Sequence, residues 1–222
     1  MAAGTRIAFA ERAGPSLRAA IAVVGGVLLA AGCAHHPQPQ DIDDVCAVFE
    51  EYPQWYDYAR ASEERWGTPI PIQMAFIHQE SAFVADARPP RDRLLGIIPW
   101  RRPSSAFGYA QAQDPVWSEY QEESAHWDAH RTRMRDALDF VGWYNHRTHE
   151  RLGIALDDPR RLYLAYHEGH GGYRRGTYRQ KPLLQRVARN IERRAERFAS
   201  QLEACEDELR CARWYQFWPF CR

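Results

Sequence analysis

Apolar residues return at helical spacing in several windows of the chain, and the most regular lies near the C-terminal end. There Leu184, Ala188, Ile191, Ala195, Phe198 and Leu202 step by four, three, four, three and four, while the other face is crowded with Arg and Glu. That pattern predicts a long amphipathic helix with one buried stripe. Pro53 fits the first position of another helix, with Trp55, Ala59, Ser62 and Trp66 on one face and Gly67 as its stop. Pro71 opens a third, running through Met74, Ala75, Phe76 and Ile77 to Glu80, and apolar on nearly every side. Met134, Leu138, Val141 and Tyr144 mark a helix within residues 128–149. Asp157-Asp158-Pro159 is a capping signal for a short helix through Leu162, Ala165 and Tyr166. There is no run of alternating strand character and no internal repeat, so the fold class is mostly α.

Two stretches break the pattern. Residues 84–107 hold four prolines and a glycine, and a connection of that length is usually functional. Residues 169–178 hold four glycines, two tyrosines and two arginines, and read as a loop of the kind that walls a binding cleft.

The front of the chain is different. Arg6, Arg12 and Arg18 precede an apolar run over residues 19–31, which ends in Ala31-Gly32-Cys33. A basic segment, a short apolar segment and small residues before a cut make a secretory signal. The run falls short of the roughly 20 residues that span a bilayer. Cysteine directly after Ala-Gly is similar to the bacterial lipoprotein signal, which implies acylation at Cys33 and an N-terminal lipid anchor. Ala34 at the next position, by resemblance to sorted lipoproteins, favours the outer membrane and a periplasmic domain. Residues 34–42 are rich in Pro, Gln and His and read as a solvated tether. The expected organisation is therefore signal peptide 1–32, tether 33–42, catalytic domain 43–204 and a cysteine-containing tail 205–222.

Composition narrows the chemistry. The chain has 222 residues, enough for one domain with a substantial core, and its 29 basic residues balance its 29 acidic ones. A neutral chain lacks the basic face that nucleic acid requires. Lys181 is the only lysine, which speaks against lysine-based covalent catalysis. Beyond Cys33 there are four cysteines, an even number that suggests two disulfides in an exported chain. Three pairings are open, and the favoured one joins Cys46 to Cys205 and Cys211 to Cys221. No CxxC spacing points to zinc, and no cofactor is implied.

The candidate chemistry centres on Ile77-His78-Gln79-Glu80-Ser81. Glu80 falls at the end of an apolar helix. Burial and the partial negative charge of a helix C-terminus both push its pKa upward, and a carboxyl that stays protonated near neutral pH can act as a general acid. Gly108-Tyr109-Ala110-Gln111 follows the proline-rich stretch, and Ala165-Tyr166-His167-Glu168-Gly169 ends the fourth helix. In this order, Glu-Ser, Gly-x-x-Gln and Ala-Tyr-x-x-Gly resemble the three signatures of the soluble lytic transglycosylase (SLT) domain family, whose fold is lysozyme-like, of the goose type. The resemblance covers roughly residues 65–200.

That resemblance implies a helical domain with long loops over a cleft, acting on the glycan strands of peptidoglycan. It makes Glu80 the single catalytic acid, Ser81 the residue that steadies it, Gln111 a substrate-facing amide and Tyr166 the cleft tyrosine. His167 stands where the family has Asn, at a substrate contact, and Ala110 stands where Met is common. The interval of 28 residues from Glu80 to Gly108 implies an insertion over the cleft. The implied reaction breaks the MurNAc–GlcNAc bond without water and leaves a 1,6-anhydro sugar. Ordinary glycosidases need a second carboxylate, for which Asp86, Asp92, Asp114 and Glu168 are candidates. Trp100, Tyr109, Trp117, Tyr144, Tyr173 and Tyr178 are candidates for an aromatic floor under sugar rings. Arg88, Arg91, Arg101, Arg102, Arg174 and Arg175 are candidates for meeting stem-peptide carboxylates.

Three other readings compete. A goose-lysozyme-like hydrolase would use the same fold with water as acceptor. A metal site would draw on His126 with His130, His146 with His149, or His167 with His170, although the last pair lacks HExxH spacing. A non-catalytic lipoprotein would bind peptidoglycan as an anchor.

Overall fold

A computed structural model describes residues 1, 36–90, 93–94, 98–99 and 104–211. The elements below all belong to the compact unit His36–Arg222. Helix α1 (Val45–Glu51) starts at Asp44, whose carboxylate accepts from the backbone N–H groups of Cys46 and Ala47. Helix α2 (Pro53–Trp66) has its proline in the first turn and closes at Gly67. Helix α3 (Ile70–Ser81) buries Ile70 and every residue from Ile72 to Ile77, as expected for a helix apolar all round. Helices α4 (Asp114–Ser124), α5 (Met134–Leu152), α6 (Pro159–Arg175) and α7 (Pro182–Cys211) follow, with a single 3-10 turn at Thr177–Gln180.

Helix α3 is the centre of the packing. It lies against α7 and α5, while α2 packs on α5, and α6 on α7. The stripe on α7 is buried from Leu184 to Leu202 as its spacing requires. Large aromatic side chains (Trp55, Phe76, Phe83, Tyr120, Phe140, Trp143) fill the space between the helices. Burying each contributes about 1.5–3 kcal/mol from removal of apolar surface.

Several expectations need correction. Helix α5 begins at Met134, within the expected stretch, and runs past 149 to Leu152, while residues 125–133 form a turn-rich connection from the left-handed Ala125. His126 and His130 therefore do not share a helix face. Residues 170–175 are helical instead of loop: α6 bends at Gly169 (φ 70°, ψ 158°) and then resumes. Helix α7 continues past Leu202 to Cys211. Within the proline-rich stretch a short antiparallel ladder pairs Arg93 with Pro99 and Leu94 with Ile98. Residues 36–42, expected as a solvated tether, lie against the domain. Pro39 is buried, Tyr52 donates to the Pro37 carbonyl (3.0 Å), and Gln38 donates to the Ala82 carbonyl at the end of α3 (2.8 Å). Polar residues dock here through backbone and amide hydrogen bonds that apolar patterning does not reveal.

A disulfide joins Cys46 on α1 to Cys205 on α7. For the other expected pair, Cys211 ends α7 while Cys221 lies outside the described residues, as do Cys33 and Trp100.

Candidate active site

Glu80 sits in the last turn of α3, half-buried. The helix stops at Ala82 (φ 49°), and Phe83 (φ 61°) follows in the same left-handed region with its ring fully buried. Neither is glycine, and each such residue costs on the order of 1 kcal/mol or more. The reversal is held by the Ala82 N–H on the His78 carbonyl (2.9 Å) and by Phe83 stacked on Trp55. Loss of hydration pushes the Glu80 carboxyl up to about 7, and a hydrogen bond from the Tyr163 hydroxyl pulls the other way. His78, two residues earlier, has another role. It packs on Phe83 and Phe198 and meets Asp43 at 3.3 Å, and burial and then the nearby Arg194 push it down to about 4.

The second segment is a tight turn. Gly108 (φ 81°) lies so close to the Arg131 backbone that a Cβ would fall 2.2 Å from the Arg131 carbonyl oxygen, so no other residue fits. Gln111 (φ 48°) is a third strained position beside the site, and its amide nitrogen donates to the carbonyls of Ala87 (2.9 Å) and Gly108 (2.8 Å). The side-chain carbonyl of Gln111 is then the group left for a ligand. The third segment reaches the second through Tyr166, whose hydroxyl donates to the Ala110 carbonyl (2.5 Å). The Tyr166 ring packs edge-on against Tyr144 and Phe76, and its pKa is raised by burial and by the charge of Glu80.

Gln111, Tyr144, Tyr166, His167 and Glu168 share a cavity of about 270 Å³. His167 is half exposed, and its Nδ1 lies 3.1 Å from Glu168 Oε1. Glu168 is almost wholly buried. Burial pushes its carboxyl up, but hydrogen bonds from Lys181 (2.7 Å), Thr177 and His167 outweigh that and hold it at about 2. Gly169 comes next, and its left-handed backbone lets α6 bend so that Thr177 and Lys181 reach Glu168.

Other expected site residues lie elsewhere. Ser81 is buried and its hydroxyl donates to the Ile77 carbonyl (3.1 Å), so the donor on Glu80 is Tyr163 instead. Tyr163 was not singled out from sequence, although it lies one turn before Tyr166 on the same helix face. Tyr109 is 1% exposed and packs edge-on against Trp55, so its ring belongs to the core and not to the cavity wall. Trp117 is buried beside a separate cavity of about 500 Å³, lined also by Arg88, Ser105, Asp114, His130 and Arg131. Tyr173 stacks on Tyr178. Asp86 is exposed, Asp114 is paired with Arg131 (2.6 Å), and Asp92 lies outside the described residues, as do Arg91, Arg101 and Arg102.

Three of the histidines raised as metal ligands have other partners. His149 Nδ1 meets the Ile154 carbonyl (2.8 Å), His170 Nε2 meets the Thr148 hydroxyl (2.8 Å), and His126 lies beside Tyr120 and Asp139. Among the described residues no group of three His, Cys, Asp or Glu side chains is arranged to hold a metal ion.

No curated protein and no solved structure matches the chain. The sequence profile of the Transglycosylase SLT domain does, over residues 21–205, a span that takes in Glu80, the Gly108 turn and the bend of α6. With most of its length inside that match and a helical, lysozyme-like fold, the chain belongs to the transglycosylase SLT domain family.

Proposed function

We propose that the chain is a lytic transglycosylase that cleaves the β-1,4 bond between MurNAc and GlcNAc in peptidoglycan. The observation that carries this reading is the convergence of the three segments. Tyr166 ties α6 to the Gly108 turn, both line one cavity with His167, and the raised carboxyl of Glu80 stands beside Tyr163 and Tyr166. Protonated Glu80 donates to the glycosidic oxygen as the C1–O bond breaks through an oxocarbenium-like state. The resulting carboxylate then takes the proton of the MurNAc C6 hydroxyl while its oxygen bonds to C1. The anhydro ring closes, no water is consumed, and one carboxyl serves both steps.

A hydrolase needs a further carboxylate to activate water. Of the candidates named above, Glu168 is held ionised by three donors, which makes it a poor base, and Asp114 is engaged by Arg131 at 2.6 Å. In the same reading the domain is exported and held at the outer membrane through a lipid on Cys33. Cys33→Ala then moves it from the membrane fraction to the soluble one.

The test is mass analysis of fragments released from purified sacculi by the chain beginning after Cys33, with Glu80→Gln alongside. Anhydro-MurNAc ends that vanish in the variant are expected. Reducing ends, heavier by one water, would replace this reading with hydrolysis. Release that survives in Glu80→Gln would remove Glu80 from the mechanism.

A further inference from the structure

Helices α3 and α6 begin beside α7, and there the three enclose a groove of about 440 Å³. Its floor is apolar: Ile72 and Ala195 are buried, Ala199 is half-buried, and prolines at the starts of α3 and α6 complete it. Its rim is acidic. Asp157, Asp158, Glu192 and Glu196 line it, and no basic side chain does. Asp158 caps α6 and pairs with Arg161 (3.7 Å). The side chains of the other three have no hydrogen-bond or ion-pair partner among the described residues. Glu80 and Glu168 lie toward the far ends of α3 and α6, so the groove is separate from the cleft.

Four carboxylates around an apolar floor suit a segment that carries both cations and large apolar groups. The chain has such a segment. Residues 212–222, outside the described residues, hold Trp214, Tyr215, Phe217, Trp218 and Phe220 between Arg213 and Arg222, with no acid. Aromatic side chains gathered so closely form the kind of apolar patch that folded domains cover. The segment follows directly on α7, the helix that supplies Glu192, Glu196 and both alanines of the floor. Ala199 lies twelve positions back from Cys211, about 18 Å along the helix. Eleven extended residues reach about 36 Å. A Cys211–Cys221 bond would halve that reach and still bring the tip of the loop level with Ala199. The starting point is also right. Near the end of α7, Glu206 and Arg210 bond Tyr56 and lie close to Glu63, which sits by the Ile70 backbone, next to the floor.

We propose that residues 212–222 fold back along α7 and lie in this groove, with aromatic side chains on its floor and Arg213 and Arg222 at its carboxylates. The docked segment then bridges α7 to the starts of α3 and α6, the two helices whose other ends shape the cleft. The proposal is independent of the reaction that the cleft performs.

The experiment uses the chain beginning after Cys33, with Phe217 replaced by the photo-crosslinker p-benzoylphenylalanine. Mass mapping is expected to find links within one chain to residues 69–72, 157–159 or 192–199. Links only between two chains, or only to other surfaces, overturn the proposal. So does binding of the segment to phosphatidylglycerol vesicles with the groove unlabelled. Charge is tested through the rate at which chymotrypsin cuts after the aromatic residues of the segment, since that rate follows the undocked fraction. Glu192→Lys with Glu196→Lys should raise it about tenfold. Adding Arg213→Glu and Arg222→Glu should return it close to the wild-type rate, which a damaged fold would not do. A rate unmoved by the first pair, or not restored by the second, overturns the proposal.

Discussion

Two glutamates, each near the end of a helical segment and each removed from water, reach opposite states. Glu80 closes α3 among apolar neighbours with one phenolic donor, and its carboxyl is pushed up to about 7. Glu168 closes the first segment of α6, and burial pushes it up as well, yet Lys181, Thr177 and His167 together hold it at about 2. Burial alone does not decide protonation. The number and charge of the donors that surround the carboxylate do. One site is left short of donors and can hold a proton for catalysis, and the other is saturated and can only be a fixed anion.

The largest test of that contrast is turnover. Glu80→Gln should lower anhydro-sugar release by a factor of about 100 to 10,000, as loss of a general acid does. Glu168→Gln should keep activity within about tenfold, measured on the same sacculi. Comparable losses would erase the distinction between the two residues. Stability should separate them the other way. Glu168→Gln removes an acceptor from three donors and should cost about 1–2 kcal/mol in denaturant unfolding, less than a fully buried pair because Lys181 is half exposed.

The pH dependence of stability sharpens the comparison further. Folded Glu80 holds its proton more tightly than the unfolded chain does. Its contribution to stability therefore falls as pH rises from the ordinary 4.5 toward about 7, and Glu80→Gln should abolish that fall. Glu168 runs in the opposite sense. Its contribution is present above 4.5 and is lost as pH falls toward about 2, a loss absent from Glu168→Gln. Thermal melts across pH for both variants read the two slopes, and slopes of the same sign would break the contrast. The smallest expected effect belongs to Tyr163→Phe. Removing the only protein donor named on Glu80 raises its pKa, so the alkaline limb of activity, which sets in near 7, should move upward by roughly one unit or less. A downward shift would show that Tyr163 does not act on Glu80 in this way.

Much of this was legible in the sequence, for identifiable reasons. Pro53, Pro71 and Asp158-Pro159 fall in the first turn or at the cap of real helices, and the α7 stripe is buried residue for residue. The position of Glu80 at the end of an apolar helix carried its pKa argument without coordinates. Helix α4 was missed although Pro115 falls in its first turn; unlike Asp158 before α6, Asp114 is its first helical residue and makes no capping hydrogen bond. Its buried set, Trp117, Tyr120 and Ser124, is too small to show a period. The glycines after Gly169 look like a loop because nothing local reveals that Thr177 and Lys181 return to bond Glu168. Ser81 and Tyr109 show the limit of motif reading. The motif gives their order along the chain, but back-bonding to Ile77 and packing on Trp55 decide where the side chains go.

The Cys46–Cys205 bond has a consequence for how the chain can be cut. The two cysteines stand 159 positions apart, and the whole candidate site, from Glu80 to Lys181, lies on the segment they enclose. A single protease nick anywhere in that segment, the proline-rich stretch included, divides the backbone but releases nothing. Both halves migrate as one species until a reductant is added, and then they separate. The cleft can thus suffer a cut in its own connecting loops and keep Glu80 on one fragment covalently tied to Tyr166 on the other.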